Sequence, residues 1–316
     1  MTDYNTIKGL FIKQKTTDPV ASQTLGGSWA SGGTMNTARN GGNLGSVGLQ
    51  TAALGFGGYT SGGLVGNTES YNGTSFTEEN DLNQTTYYQA GFGLQTAAIS
   101  AGGNVVTGVP PGESTKTESY DGTSWTEVND LGSGRYNFAG IGVSGTAGIV
   151  VGGNNYPSNY KAFTESWDGT NWTEVADLNQ DRIIMPGTGT QTASLAISGK
   201  NGPGTIAYTN VEEWNGTNWT EIADVNTGRA TGGASGTVNS ALAIGGSSTA
   251  ATGATEFYDG TSWTEVADLA TARRNTSGLG SSSLALCSGG TLEPGTNTAA
   301  TEEWTQGLSV QTITAS

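Results

Sequence analysis

The feature that most limits the fold is one short motif, a turn followed by an aromatic residue, that recurs along the chain. Close copies of DGTSWTE occupy residues 72–78, 121–127, 168–174, 215–221 and 259–265. The aromatic position recurs at Trp29, Phe76, Trp125, Trp172, Trp219 and Trp263, at intervals of 47, 49, 47, 47 and 44 residues. A repeat of this period predicts an array of similar small units.

Each unit predicts four β-strands. GRYNFAGIGV and GTAGIVVGG have the pattern of the first and second strands, and TESY and WTEVNDL that of the third and fourth. The third and fourth strands are joined by Asp-Gly or Asn-Gly, which favour hairpins because Gly readily adopts positive φ. Six four-stranded units predict an all-β chain folded as a six-bladed β-propeller of four-stranded antiparallel blades.

The order of the motifs predicts how the ring closes. The chain begins with a lone fourth-strand segment around Trp29 and ends with three strands of a last unit, through Trp304. Pairing the two completes a sixth blade and leaves no large exposed sheet edge. We therefore expect an attachment arm at 1–24, a propeller at 25–305 and a tail at 306–316. The alternatives are that the tail supplies the closing strand, or that the ring has seven blades.

Two charged positions repeat with the units and predict a structural ring. Five of the motif aromatics are preceded by a Glu at seven residues, and a sixth Glu, Glu302, opens EEW near the C-terminus. An Arg follows each aromatic by ten residues, except that Thr86 replaces one Arg. We expect ion pairs, because a partly buried carboxylate needs a partner. A calcium site of converging carboxylates is the alternative, although no D-x-D-x-D-G loop accompanies it. The ring residues are Glu69, Glu118, Glu165, Glu212, Glu256, Glu302, Arg39, Arg135, Arg182, Arg229 and Arg273.

The loops between the second and third strands vary in length and sequence, whereas the other spacings hardly change. In a four-stranded meander these loops and the links between blades share one face of the disc. Variable loops on a rigid scaffold are typical of binding surfaces, and Tyr, Asn, Ser and Gly suit such a surface. The candidate ligand-binding residues are Tyr59, Pro110, Pro111, Lys116, Tyr156, Tyr160, Lys161 and Tyr208.

The composition excludes several functions. Twelve Lys and Arg against 27 Asp and Glu give a net charge of −15 without a basic run, which disfavours nucleic-acid binding. The chain has no His, so no His-dependent metal site or catalytic triad can form. Its single Cys287 is expected to be a buried strand residue. We expect no enzyme activity, no cofactor, no metal and no membrane insertion.

The units resemble the kelch repeat, in which an apolar strand ending in Gly-Gly is followed by an aromatic residue and then by a Trp or Phe. The aromatic residues here are Tyr71, Tyr120, Trp167, Trp214 and Tyr258. The resemblance covers residues 25–305 and implies a propeller, although Ser198-Gly199 replaces Gly-Gly in one unit. Kelch-like copper oxidases of the galactose oxidase type use His ligands, which this chain lacks.

The whole chain is also similar to kelch-like structural proteins of marine tailed bacteriophages. The similarity lies in a short leader, near-identical units such as ESYDGTSWTEVNDL and a terminal TITAS. It implies a virion component, in the tail, a tail fibre or the capsid decoration. The absence of a signal-peptide pattern fits assembly in the host cytoplasm. The arm would bind other virion proteins through Lys8, Leu10, Phe11, Ile12 and Lys13.

These observations predict a non-enzymatic virion surface protein that displays a propeller for host attachment. The variable loops would bind a host surface glycan or protein, with avidity from several copies per particle. A homo-oligomer is compatible with the sequence. The alternatives are a purely structural virion component whose loops bind nothing and a cellular kelch-type scaffold for protein interactions.

Overall fold

The computed structural model of the protein describes residues 26–40, 45–106, 112–155, 159–202 and 207–307. Most of the expected arm and tail lies outside these ranges. Within them the chain is all β, with six four-stranded antiparallel sheets arranged as a β-propeller and no helix. The predicted fold class is confirmed.

The first three blades and the strand that precedes them contain seventeen strands. They are β1 (Gly27–Ser31); in blade 1, β2 (Gly45–Leu49), β3 (Ala52–Phe56), β4 (Tyr59–Thr60), β5 (Gly63–Leu64), β6 (Thr68–Tyr71) and β7 (Phe76–Glu78); in blade 2, β8 (Ala90–Leu94), β9 (Ala97–Ala101), β10 (Thr117–Tyr120) and β11 (Trp125–Val128); and in blade 3, β12 (Ala139–Ser144), β13 (Ala147–Val151), β14 (Asn154–Asn155), β15 (Asn159–Tyr160), β16 (Thr164–Trp167) and β17 (Trp172–Val175).

The remaining blades contain thirteen strands. They are, in blade 4, β18 (Gly187–Thr190), β19 (Ala193–Ile197), β20 (Val211–Trp214) and β21 (Trp219–Ile222); in blade 5, β22 (Gly233–Thr237), β23 (Ser240–Ile244), β24 (Thr255–Tyr258) and β25 (Trp263–Val266); and in blade 6, β26 (Ser277–Gly280), β27 (Leu284–Ser288), β28 (Thr291–Leu292), β29 (Thr296–Asn297) and β30 (Thr301–Gln306).

The first strand of each blade lines the central axis and contacts the first strands of both neighbouring blades. The disc therefore has two faces. The upper face consists of the loops between second and third strands and of the links between blades. The lower face consists of the turns between first and second strands and of the Asp-Gly or Asn-Gly turns between third and fourth strands. The pairs β4–β5, β14–β15 and β28–β29 extend three upper loops as short hairpins.

The ring is closed by the N-terminal strand. β1 pairs with β30 in antiparallel register, so that Trp29 lies opposite Trp304. Blade 6 thus takes its outer strand from the start of the described chain and its other three strands from the end. The alternative closures, by the tail or by a seventh blade, are wrong because β1 already supplies the fourth strand of this sheet.

The repeated motif builds the contact between neighbouring blades. In every blade its aromatic residue packs against the aromatic residue that ends the third strand, with ring centroids 4.6–5.5 Å apart. These rings join the aliphatic side chains of adjacent blades in shared clusters, such as the one that includes Ile149 of blade 3 and Trp214 of blade 4. Large aromatic area is needed there because a single four-stranded sheet cannot bury its own faces.

The repeated Arg and Glu residues form ion pairs inside five blades. The pairs are Arg39–Glu69 (3.2 Å), Arg135–Glu165 (2.8 Å), Arg182–Glu212, Arg229–Glu256 and Arg273–Glu302 (2.6 Å). All ten side chains are almost completely buried. Burial lowers the pKa of Arg229, and the nearby Glu256 carboxylate opposes that shift.

The Glu residues also hold the links between blades. Glu256 accepts backbone N–H bonds from Asn226 and Thr227, at 2.6 and 3.1 Å. Blade 2 shows that this contact does not require the Arg. There Glu118 accepts the N–H groups of Asn83 and Gln84, at 2.8 and 3.0 Å, although Thr86 stands at the Arg position. These carboxylates therefore hydrogen-bond their own blade to the link that precedes it.

Candidate ligand-binding face

The upper face carries a group of tyrosines that spans three adjacent blades. We define the tyrosine cluster as Tyr59, Tyr87, Tyr88, Tyr136 and Tyr160. The rings of Tyr59 and Tyr87 have centroids 5.8 Å apart, and those of Tyr87 and Tyr88 are 4.3 Å apart. The phenol of Tyr136 is close enough to Tyr87 and Tyr160 for electrostatic interaction with both. All five side chains are partly exposed.

The backbone places these residues through one repeated element. The residue after each Arg position forms an isolated bridge with the residue after the Gly-Gly pair or its equivalent. Examples are Tyr87 with Asn104 and Tyr136 with Asn154, while Tyr59 bridges to Asn40. These bridges bring a link between blades and an upper loop side by side, so that side chains distant in sequence share one surface.

In the five links between blades 1 and 6, the next residue has left-handed backbone geometry. Tyr88, Asn137, Ile184, Thr231 and Asn275 have φ between 49 and 61°. The backbone N–H groups of Asn137, Ile184 and Thr231 each donate to the backbone carbonyl of the equivalent residue in the preceding link, at 2.8–3.0 Å. Successive links are therefore hydrogen-bonded to one another around the axis. Positive φ in non-glycine residues is strained, and such strain concentrates at functional sites.

Amide side chains accompany the tyrosines. Asn104 Nδ2 donates to Tyr87 Oη at 3.4 Å, and the Asn154 side chain hydrogen-bonds Tyr136. Asn154 is 7% exposed, yet its Oδ1 has no hydrogen-bond partner among the described residues, and the same holds for the buried Oδ1 atoms of Asn137 and Asn155. Buried amide oxygens normally accept a hydrogen bond, so these three atoms keep unused acceptor capacity beside the cluster.

Burial also changes the acidity of the cluster. It raises the pKa of Tyr88 to about 12, with smaller contributions of the same sign from Tyr87 and Tyr136 and an opposing one from Arg274. Burial is likewise the main cause that raises the pKa of Tyr87 and of Tyr136. These phenols stay protonated at neutral pH and can both donate and accept hydrogen bonds.

The upper face also holds the cations that the Arg–Glu pairs do not use. Within the described ranges these are Lys116, Lys161, Lys200 and Arg274. Arg274 pairs with Glu293 at 3.0 Å and lies near Tyr88. Lys161 Nζ lies 5.0 Å from the ring centroid of Phe163.

The structure brings together only some of the predicted loop residues. Tyr59 and Tyr160 belong to the tyrosine cluster, and Lys161 follows Tyr160 directly. Lys116 pairs with Glu127 on the outer strand of blade 2 and so lies towards the rim. Tyr208 hydrogen-bonds Gln180 in a link between blades. Pro110, Pro111 and Tyr156, and the arm residues Lys8, Leu10, Phe11, Ile12 and Lys13, lie outside the described residues.

The sequence reasoning missed Tyr87, Tyr88 and Tyr136. These residues follow the Arg position directly and belong to links between blades. The predicted ligand-binding residues were chosen from the variable upper loops only. A usable signal was present, because other units carry Asn40, Ile183 or Ala230 at the position of Tyr87. A side chain that changes from unit to unit at a fixed position is not required by the propeller scaffold.

Within the described ranges, no three Cys, Asp or Glu side chains converge in a way that could hold a metal ion. No helix in that part of the chain would reach across a membrane.

The chain is a six-bladed β-propeller protein, and comparison with known proteins supports that class. No family model and no curated protein matches the sequence. Among solved structures 325 chains match. One, a structure of YjhT, has a TM-score of 0.69 and is 14% identical over 84% of this chain and 94% of that one. At this identity the likeness shows the fold alone, and many functions share the propeller fold.

Proposed function

We propose that this protein is a non-enzymatic binding propeller of a phage virion, which attaches the particle to a glycan on the host surface. The observation that carries the proposal is the tyrosine cluster with its neighbouring amide groups. Tyrosines of three blades form one partly exposed surface, and beside it lie the buried Oδ1 atoms of Asn137, Asn154 and Asn155, which have no partner in the described part of the chain.

A glycan fits this surface better than other ligands. Sugar rings present apolar C–H faces that pack on aromatic rings, and hydroxyl groups that donate to amide and phenol oxygens. Tyrosine supplies rigid amphipathic contact area at a low entropic cost. A nucleic acid would need more cations than the four that this face offers, because phosphate contacts dominate its binding.

The phage setting is supported by the sequence resemblance to kelch-like virion proteins. The structure adds one compatible feature: the chain enters the propeller at Gly26 and leaves it at Gly307, and these residues are joined by a hydrogen bond of 2.5 Å. Because β1 and β30 pair with Gly27 opposite Gln306, both ends emerge on the lower face. A particle held through the ends would present the upper face outward.

The experiment is to bind the labelled full-length protein to an array of bacterial surface glycans. We expect saturable binding that Tyr87→Ala or Tyr136→Ala weakens about tenfold or more, since centrally placed aromatic residues dominate such interfaces. Thr237→Ala on the lower face is the matched control and should bind normally. Binding to no glycan, or equal binding by the tyrosine variants, would contradict the proposal. Binding to host cells that protease abolishes and periodate spares would indicate a protein receptor.

The virion setting has its own test. Mass spectrometry of purified particles of a phage that encodes this chain should detect its peptides in stoichiometric amount. Absence of the peptides would remove the virion role while leaving glycan binding open to the array experiment.

A further inference from the structure

The lower face carries an exposed apolar surface. We define the apolar arc as Leu49, Leu94, Val143 and Leu284, whose exposed fractions are 55%, 42%, 60% and 46%. Of the five large apolar side chains exposed within the described ranges, these are four, and only Val106 lies elsewhere. Exposed apolar side chains gathered on one face mark an interaction surface, whereas scattered ones do not.

The propeller scaffold does not require the apolar arc. Leu49 and Leu94 end the first strands of blades 1 and 2, and Val143 is the penultimate residue of the first strand of blade 3, beside the bulge of that strand. The equivalent residues of blades 4, 5 and 6 are Thr190, Thr237 and Ser281. Small hydroxyl residues therefore form the same turn in the other three blades. The turn does not require the apolar side chains of blades 1, 2 and 3. Leu284 extends the arc to blade 6, where its carbonyl accepts the N–H of Ser281 at 2.9 Å.

The arc borders an opening in the centre of the lower face. Leu49, Leu94 and Val143 line a cavity of ≈ 120 Å³ together with glycines of all six inner strands. Glycine is needed at this position in blade 1, because a Cβ on Gly48 would lie 2.2 Å from the carbonyl oxygen of Ala52. The mouth of the channel is consequently lined largely by backbone atoms. This leaves room for an apolar side chain of a partner.

Three acidic turns lie on the same face as the arc. Asp121, Asp168 and Asp259 each accept two backbone N–H bonds of their own turn at 2.7–2.8 Å, which lowers the pKa of all three carboxyl groups. The turns join third and fourth strands and so lie about 10–14 Å outward from the inner strands at ordinary strand spacing. No Lys or Arg of the described ranges lies on this face.

We propose that the lower face is a docking surface for a basic amphipathic segment of another protein. The apolar side chains of that segment cover the apolar arc, one of them enters the channel mouth, and flanking Lys or Arg residues reach Asp121 and Asp168. A second copy of this chain does not fit, because it would oppose carboxylates to carboxylates. The proposal concerns the face opposite the tyrosine cluster and stands apart from glycan binding.

The first test uses a fluorescent helical peptide of about 18 residues with leucines on one face and lysines on the other. We expect saturable binding to the full-length protein, and binding about tenfold or more weaker to the Leu49→Thr, Leu94→Thr, Val143→Thr triple variant. Thr is the residue that blades 4 and 5 carry where blades 1 and 2 have Leu49 and Leu94, so the variant should fold, and single Leu94→Thr serves if the triple does not. Equal binding by the variants, or by a matched leucine–glutamate peptide, would overturn the proposal.

A second test identifies the occupant. The photo-reactive residue p-benzoylphenylalanine is placed at position 94 of the full-length protein and irradiated with and without the leucine–lysine peptide. A cross-link to the peptide supports the proposal. A cross-link to residues 1–25 of the same chain, or to a second copy, would replace the proposed partner with that occupant and overturn the proposal.

Discussion

The indole N–H of Trp125 donates a 3.0 Å hydrogen bond to the hydroxyl of Thr68 in the preceding blade. Equivalent bonds join Trp172 to Thr117, Trp219 to Thr164 and Trp29 to Thr255. At the junction of blades 6 and 1 the motif aromatic is Phe76, which has no N–H group. There the hydroxyl of Thr301 is buried and has no hydrogen-bond partner within the ranges that the structure describes. The substitution of one aromatic by another thus leaves a buried polar group unpaired.

Phe76→Trp is therefore expected to stabilise the protein. The new indole N–H would donate to Thr301 Oγ1 and add about 1 kcal/mol to the free energy of unfolding, the usual net value for one hydrogen bond. Urea unfolding followed by circular dichroism measures the change. In Trp125→Phe, which makes the opposite exchange against Thr68, we expect a loss of at least similar size. A destabilised Phe76→Trp would show that this junction is packed too tightly for an indole.

Glu256→Gln tests the buried ion pairs. It leaves Arg229, which is 0% exposed, without its counter-charge, so we expect a loss of about 3–5 kcal/mol in the free energy of unfolding. Glu118→Gln is the matched control, because blade 2 has no Arg at this position. The substitution therefore leaves no buried cation without its counter-charge. It should cost about 1 kcal/mol through weakened bonds to Asn83 and Gln84. Equal losses in the two variants would show that the carboxylates act only on the links.

The raised pKa of Tyr88 predicts lower stability in alkali. An unfolded tyrosine ionises near pH 10, whereas folded Tyr88 keeps its proton to about pH 12. Between these values the unfolded state binds fewer protons, so stability falls as pH rises. For this residue alone the unfolding equilibrium constant should rise about tenfold between pH 9 and pH 11.

Tyr88→Phe should remove that contribution. Urea unfolding at the two pH values measures it as the difference between the wild-type and variant slopes. Other tyrosines contribute equally to both proteins and cancel. Parallel slopes would show that Tyr88 ionises in the folded state as it does in the unfolded one.

Cys287 is expected to be unreactive in the folded protein. The residue is fully buried in blade 6, and burial raises the pKa of its thiol. Little thiolate forms at pH 8, and a thiol reagent such as DTNB cannot reach it. We expect no reaction in native buffer and one equivalent in denaturant. Ser281→Cys, on the exposed turn of the same blade, should add one equivalent that reacts at once, and fast labelling of wild type would reveal local opening.

Much of the scaffold was predictable from local rules. The Asp-Gly turns, the strand alternation and the period of the Trp positions act over a few residues, and their repetition identified the six blades. Closure was predictable because Trp29 lacks the strands that should precede it. The Arg–Glu pairing followed from fixed offsets, and blade 2 lacks its Arg where Thr86 interrupts the pattern.

By itself the sequence determined the number of blades, the pairing of the buried charges and the face on which loops vary, because each depends on a spacing that the chain repeats. Only the tertiary structure decided which side chains meet on that face. Tyr59, Tyr87 and Tyr136 come from three blades and lie together because isolated bridges place links against loops. The apolar arc of the lower face likewise depends on strand ends from four blades. Which side chains become neighbours across blades depends on the curvature and closure of the ring. The spacing of residues along the sequence does not contain that information.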